Sequence, residues 1–239
     1  DCATTLHNAA FYNCRKLKKL SVGTAISGIG SDEFMNDSQL EHLIIRGKDS
    51  EATGLPLILE RIAENITVSF CPNSSSSPES IVFFPEYYEW LDEISPAHIF
   101  SRSIHGEGFR MRKSFENGIL NYRKYDSCLE NALTVESPES LCKIALNRLR
   151  WPSRLEDIFR EKYENVIKKY MGTAFTLAVK DQDFPMLQFI CEHFSPDASA
   201  LASAIDQCIE KEWGEGNAFL IEAKHKSFSK KTFDFDLDF

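Results

Sequence analysis

The sequence predicts an α+β protein: a short repeat solenoid bearing a small parallel strand ladder, then a mixed middle segment, then a C-terminal stack of helix hairpins. Three observations carry this expectation. The chain matches itself at a constant displacement, each matching unit holds a short period-2 apolar stretch, and from Asp126 onward apolar residues recur at helical spacing behind recognisable caps. The organisation expected from them is repeats over 1–70, a linker over 71–80, a mixed strand and helix segment over 81–125, a helical hairpin domain over 126–228 and a tail over 229–239.

The displacement, an offset of 23, places Leu6 on Ile29, Phe11 on Phe34, Asn13 on Asn36, Leu17 on Leu40, Leu20 on Leu43 and Val22 on Ile45. A third copy survives in part, with Leu43 mapping to Ile66 and Ile45 to Val68, while its middle, Leu55 to Ile62, reads as a short helix. Leu20-Ser21-Val22, Leu43-Ile44-Ile45 and Ile66-Thr67-Val68 alternate as strands do, so every second side chain points inward. Phe11 or Phe34, then Leu17 or Leu40, turn inward from the return segment, which places the two phenylalanines at equivalent buried positions.

The phrase AFYNCRKLKKLSVGTAISGIGSDEF resembles the BspA-like subclass of leucine-rich repeats, and the resemblance covers 1–70. It implies a curved solenoid used for protein binding or adhesion, with no catalytic residues. The sequence departs from the family where Asp37 stands in the place of Cys14, in lacking an asparagine ladder, and in holding fewer than three full copies. So short an array cannot cover its own ends, and the helices that follow are expected to cap it.

Pro72, Pro78 and the serine run from Ser74 to Ser77 mark the linker. Beyond it, Ile81 to Phe84 reads as a short strand or buried run, Glu86 to Glu93 as an aromatic-rich helix ending near Pro96, and 99–125 as extended pieces around Gly106, Gly108 and Gly118. Farther on, Ser153-Arg154-Leu155-Glu156 is a capping-box sequence opening a stripe of Leu155, Ile158, Phe159, Val166, Ile167 and Tyr170. Ser137-Pro138 and Ser195-Pro196 are further helix openers. The helices repeat loosely: an offset of 46 carries Ala132, Leu141 and Ile144 onto Ala178, Leu187 and Ile190, and an offset of 33 carries Met186 and Leu187 onto Phe219 and Leu220. Helix, polar turn Asp181-Gln182-Asp183, and helix over 126–226 resemble an ankyrin-type hairpin without that family's TPLHxA phrase; a generic helical bundle is the alternative.

With 43% hydrophobic residues the chain can bury a real core. A formal charge of −9 opposes the phosphate neutralisation that drives nucleic-acid affinity, so no nucleic-acid partner is expected. No run approaches the roughly 18 to 20 apolar residues of a membrane span, and no membrane insertion is expected. Seven cysteines without a CxxC pair read as reduced, mostly buried thiols, and no metal or cofactor is expected. The odd cysteine count and first residues unlike a secretory signal favour the cytoplasm, whereas the family resemblance implies a cell-surface or secreted setting.

Chemistry has few footholds. His98, His105 and Glu107 lie near one another in sequence without a metal-ligand spacing, and no Cys-His signature stands out. Arg102, Arg110, Arg112, Lys113, Arg123 and Lys124 interleave with Phe109, Phe115, Tyr122 and Tyr125, which predicts either a solvated face or a surface for an acidic partner. The residues expected to bind are therefore Phe109, Arg110, Arg112, Tyr122 and Arg123, together with Phe233, Phe235 and Phe239 of the alternating tail, which suits strand addition to a partner or to a second copy. The expected function is a non-catalytic scaffold that binds another protein. Its alternatives are a hydrolase or transferase with its site in 81–125, and a capping fragment of a longer surface repeat protein.

Overall fold

The computed structural model describes residues 2–37, 39–75, 77–94 and 99–231. The chain divides into two compact units, Asp1–Glu161 and Lys162–Phe239. Both helices and strands build the first; the described part of the second is helical.

In the first unit β1 (Thr5–Leu6) and β2 (Lys19–Gly23) belong to one turn of chain, and β3 (Gly28–Ile29) and β4 (His42–Arg46) to the next. Their parallel pairs are Thr5 with Gly28, Leu20 with Leu43 and Val22 with Ile45, so the displacement seen in the sequence is the register of the ladder. The return segments keep the same step: Ala9 and Asp32, then Asn13 and Asn36, all take positive φ, a conformation that asparagine and aspartate tolerate better than most residues. Phe11 and Phe34 stack with ring centroids 5.5 Å apart. They are not equally covered: Phe34 is buried, while Phe11 in the first turn is half-buried.

The third turn corrects the sequence register. It carries α1 (Leu55–Leu59), whose Leu55, Ile58 and Leu59 are fully buried, and β5 (Ile66–Phe70) then pairs Val68 with Leu43 and Phe70 with Ile45, a step of 25 rather than 23. An insertion of two residues preserves which side chains face inward, whereas one would turn the strand over. Helix α1 occupies the added length.

β6 (Ser80–Phe84) runs antiparallel to β5 and completes a sheet of order β2-β4-β5-β6. The serine-rich stretch 71–80 therefore joins two strands of one sheet. A second correction follows it: Glu86 to Glu93 is not helical. β7 (Tyr88–Ile94) and β8 (Ile99–His105) form a separate two-stranded antiparallel sheet that pairs Tyr88 with His105 and Trp90 with Ser103. Tyrosine and tryptophan suit a strand, and cross-strand pairing overrides local helical spacing.

α2 (Gly108–Arg112) leads into a hairpin of β9 (Phe115–Glu116) and β10 (Ile119–Leu120). Its turn residues Asn117 and Gly118 have φ of 52° and 79°, which is the positive-φ pair that an Asn-Gly turn supplies. α3 (Tyr122–Ser127) is capped by Asn121, whose side-chain oxygen accepts from the Lys124 N–H at 3.0 Å. α4 (Leu129–Val135) and α5 (Pro138–Arg150) follow, and Ser137 caps α5 by accepting from the Ser140 N–H.

One polar network is sealed inside this unit. Arg148 is fully buried on α5 and grips Asp126 of α3 with two hydrogen bonds of 2.8 and 2.9 Å, lying over the Tyr122 ring. The Tyr122 hydroxyl in turn donates to Asp49 at 2.8 Å and shares a hydrogen bond with Ser80. Ser153 also donates to Asp49, so it is a bridge and not the helix cap expected of it; α6 (Asp157–Lys169) starts four residues later. Leu155 precedes that helix and Ile158 is exposed, so of the expected apolar stripe only Val166 and Ile167 are buried, beside Tyr163, which the stripe did not include.

The division between the units falls within α6. Beyond it α7 (Met171–Lys180), α8 (Phe184–Phe194), α9 (Ala198–Glu210) and α10 (Gly214–Lys231) pack as helix pairs, α7 with α8 and α9 with α10, with α9 also against α7. The two turns are the same structure. Gln182 and Glu212 take φ of 49° and 53°, and the N–H groups of Asp183 and Trp213 each donate to a carbonyl five residues back, those of Ala178 and Cys208. The step between these pairs is thus 30, not the expected 33, and it superposes the buried pairs Ala174 with Ala204 and Ile190 with Leu220. The offset of 46 holds for burial, since Ala132, Leu141, Ile144 and their partners Ala178, Leu187 and Ile190 are all in the core.

Ser195 does not open α9. It ends α8 in the left-handed conformation, and Asp197 provides the cap by accepting from the Ala200 N–H at 2.8 Å. Helix α10 continues to Lys231, and the tail residues Phe233, Phe235 and Phe239 lie outside the described residues.

Candidate functional site

The first unit carries a cleft of about 850 Å³ between the β7–β8 hairpin, α2 and the turn from α4 to α5. Its walls include Glu86, Tyr88, His105, Glu107, Phe109, Arg110 and Glu136. Gly108, between the wall residues Glu107 and Phe109, lets α2 approach the strand connection, because a Cβ there would lie 1.9 Å from the Pro85 carbonyl oxygen, closer than any side chain allows.

Arg112 anchors the same helix. Its guanidinium donates to the carbonyl oxygens of Ile62, Pro85, Gly108 and Glu64 at 2.5 to 3.0 Å, tying α2 to the strand connections. Burial pushes its pKa down to about 10. Placing Arg112 on a binding surface is therefore corrected: four backbone acceptors hold it inside. Tyr122 is corrected likewise, being in the buried network with Asp49 and Ser80.

The remaining cations of this stretch do not build a basic patch. Arg102 pairs with Glu89, Lys113 with Glu60, Arg123 with Glu156 and Lys124 with Glu116, while Arg110 lies 3.5 Å from Glu107. The pairs exposed on both sides contribute little stability but cancel charge locally. Phe109 and Arg110 do reach the cleft, whereas Arg123 lines a different groove with Asn117, Tyr122 and Arg154.

Within the cleft the carboxyls predominate. Glu107 is only 4% exposed, and its Oε1 has no hydrogen-bond partner. Burial pushes its pKa up, against the attraction of Arg110 and hydrogen bonds from Cys128 and Asn131. The backbone N–H of Glu107 donates to Glu136 Oε1 at 2.6 Å. Burial, then repulsion from Glu107 and Glu86, raises the Glu136 pKa in spite of that hydrogen bond and the more distant Arg112. His105 stacks on Tyr88 with centroids 4.9 Å apart and shares a hydrogen bond with Ser103.

An activated nucleophile is not assembled among the described residues of the cleft. The Ser137 hydroxyl caps α5 and bonds Ser140, and burial pushes the Cys128 thiol up to about 11, which keeps it protonated and unreactive at neutral pH. Cys142 and Cys191 are pushed up to about 12 by burial as well. Among the described residues no three of His, Cys, Asp and Glu are grouped as metal ligands, and no helix is long and apolar enough to cross a membrane. His98 lies outside the described residues.

Beside the cleft, the β7–β8 hairpin exposes large apolar groups on both faces. Tyr88 and Trp90 share one face and are 58% and 55% exposed; Leu91, on the other, is 65% exposed. Glu136 and this exposed hairpin were not legible in the sequence. Glu136-Ser137-Pro138 reads only as a helix opening, and Tyr88 to Leu91 read as a helix.

Compared with family models, curated proteins and solved structures, the chain has no match in any of the three.

Proposed function

We propose that the chain is a non-catalytic scaffold that binds another protein, with 1–70 a short leucine-rich-repeat solenoid of the BspA-like kind and the helix pairs ankyrin-like hairpins. The parallel ladder, Leu20 beside Leu43 beside Val68, and the equivalence of the helix turns at Asp183 and Trp213 support the repeat reading. The observation that carries the binding reading is the hairpin, where Tyr88, Trp90 and Leu91 are all more than half exposed on a sheet of only two strands. A two-stranded sheet gains little from its own backbone bonds, and tryptophan and tyrosine are the residues that anchor protein interfaces.

The test compares the intact chain with a Trp90→Ser, Leu91→Ser variant as bait in native lysate, with quantitative mass spectrometry as readout. Proteins retained by the intact chain and lost from the variant, at an unchanged melting temperature, support the proposal. Identical recovery overturns it. A hydrolase using Glu107 and Glu136 as acid and base is the second reading, favoured by their raised pKa values in a cleft. Turnover of ester, amide or glycoside substrates abolished by Glu136→Gln would establish that reading instead.

A further inference from the structure

The charge balance of the cleft says what kind of group it can accept. Three carboxyls, those of Glu86, Glu107 and Glu136, face one arginine, Arg110, and one histidine, His105. Arg110 balances only one of the three: its Nε is an ion-pair partner of Glu107 Oε1 at 3.5 Å without making a hydrogen bond to it, and its side chain is 61% exposed. Glu107 Oε1 is thus buried, at the cleft wall, and without a hydrogen-bond donor. A buried acceptor left unmade is costly, and a ligand that supplies the donor recovers that cost.

Glu136 adds a second acceptor at a fixed place, because the Glu107 N–H holds its Oε1. Glu107 and Glu86 repel its charge, and that repulsion contributes to the upward shift of its pKa. A cation between these carboxylates removes the repulsion. The aromatic walls suit the same kind of guest: Tyr88, with His105 stacked on one face, and Phe109 both line the cleft, and the planar, weakly hydrated guanidinium stacks on rings and donates to two carboxylates at once. An ammonium would meet the charge but not the shape.

We infer that this cleft receives an arginine side chain of the partner protein, its guanidinium shared by Glu107 and Glu136 and its stem lying between Tyr88 and Phe109. The inference rests on the protein-binding reading and names the chemistry of the partner. It also reverses the sign expected from the sequence, since the arginines and lysines of that segment pair with carboxylates from within and beyond it, and the segment presents an acidic hollow.

Binding of this kind has a pH signature. The groups that face or act on the two carboxyls are Glu86, His105, Arg110, the Cys128 thiol and the buried Arg112. A carboxylate binds a guanidinium only when ionised, so affinity falls as pH drops through the raised values of Glu107 and Glu136.

The test is a titration of the intact chain, followed by NMR, with capped arginine, capped citrulline and free arginine as probes. Citrulline keeps the shape of the side chain and lacks the charge. Saturable shifts confined to 104–110 and 135–140 with capped arginine, at least tenfold weaker with capped citrulline and lost in Glu136→Gln and in the exposed-wall variant Tyr88→Ala, support the inference. Equal response to citrulline, or binding that survives Glu136→Gln at an unchanged melting temperature, overturns it. Free arginine binding more tightly than capped arginine also overturns it, in favour of a small amino-acid ligand. If capped arginine fails to bind while the Trp90, Leu91 capture succeeds, the scaffold reading stands and the cleft is not its contact.

Discussion

Arg112 holds more of the structure than any other single charged residue near the cleft. Four carbonyl oxygens share its charge, and the Phe84 and Tyr87 rings flank it at 5.8 and 5.1 Å. A lysine cannot reproduce a planar fork with four acceptors. Arg112→Lys is expected to cost about 2 to 4 kcal/mol, because at least two buried carbonyls lose their donors. Denaturant titration measures this, and a loss under about 0.5 kcal/mol, the level of an ordinary surface substitution, would show that the carbonyls find other donors.

The raised carboxyls Asp37, Glu107 and Glu136 act on stability in the opposite sense from a salt-bridged acid. Each folded pKa lies above its unfolded value, so just above about pH 4 these three sites hold more protons in the native chain than in the unfolded one. Stability is therefore expected to decline as pH rises from the ordinary carboxylate range through the raised values. Melting temperatures across that window check the slope, and Glu136→Gln should flatten it.

At the scale of elements, the helix pairs of the second unit depend on their turns. Asp183 closes one of them twice over: its N–H donates to the Ala178 carbonyl at 2.9 Å, ending α7, and its carboxylate accepts from the Met186 N–H at 2.8 Å, starting α8. Asp183→Ala keeps the first bond and removes the second. The expected cost is about 1 kcal/mol, the usual value of an N-cap, whereas Asp183→Asn or Asp183→Ser should restore most of it. Thermal unfolding of the three variants tests the ranking. Asp197 caps α9 in the same way, and it, not Ser195, is the residue whose loss should matter there.

For the whole molecule, the ladder does not end where the repeats end. Its fourth strand, β6, comes from 80–84, and the Tyr125 hydroxyl of α3 donates to the Phe83 carbonyl on that strand. The Arg148 to Asp126 pair then links α5 to α3 in the interior. Residues 1–70 alone are expected to lack a cooperative melt, while 1–161 should unfold in one transition monitored by circular dichroism. A sharp transition in 1–70 would mean that the parallel turns are stable without β6 and the helices that cover it.

Local chemistry made a good part of this legible in the sequence. Alternation marked the ladder strands, because an inward-facing residue every second position has no other home in a short turn of chain. The Ser137 cap and the polar turn at Asp181 to Asp183 were equally readable, since each is settled by bonds within a few residues. What tertiary structure alone decided involved partners distant in sequence. The third turn shifted by two residues to admit α1, the Tyr88 segment became a strand by pairing with 99–105, and Arg112 was drawn inward by carbonyls near residues 62, 64 and 85. The acidic sign of the cleft arose in the same way. Whether an arginine is free or paired depends on which carboxylate the fold brings to it, and neither composition nor spacing carries that information.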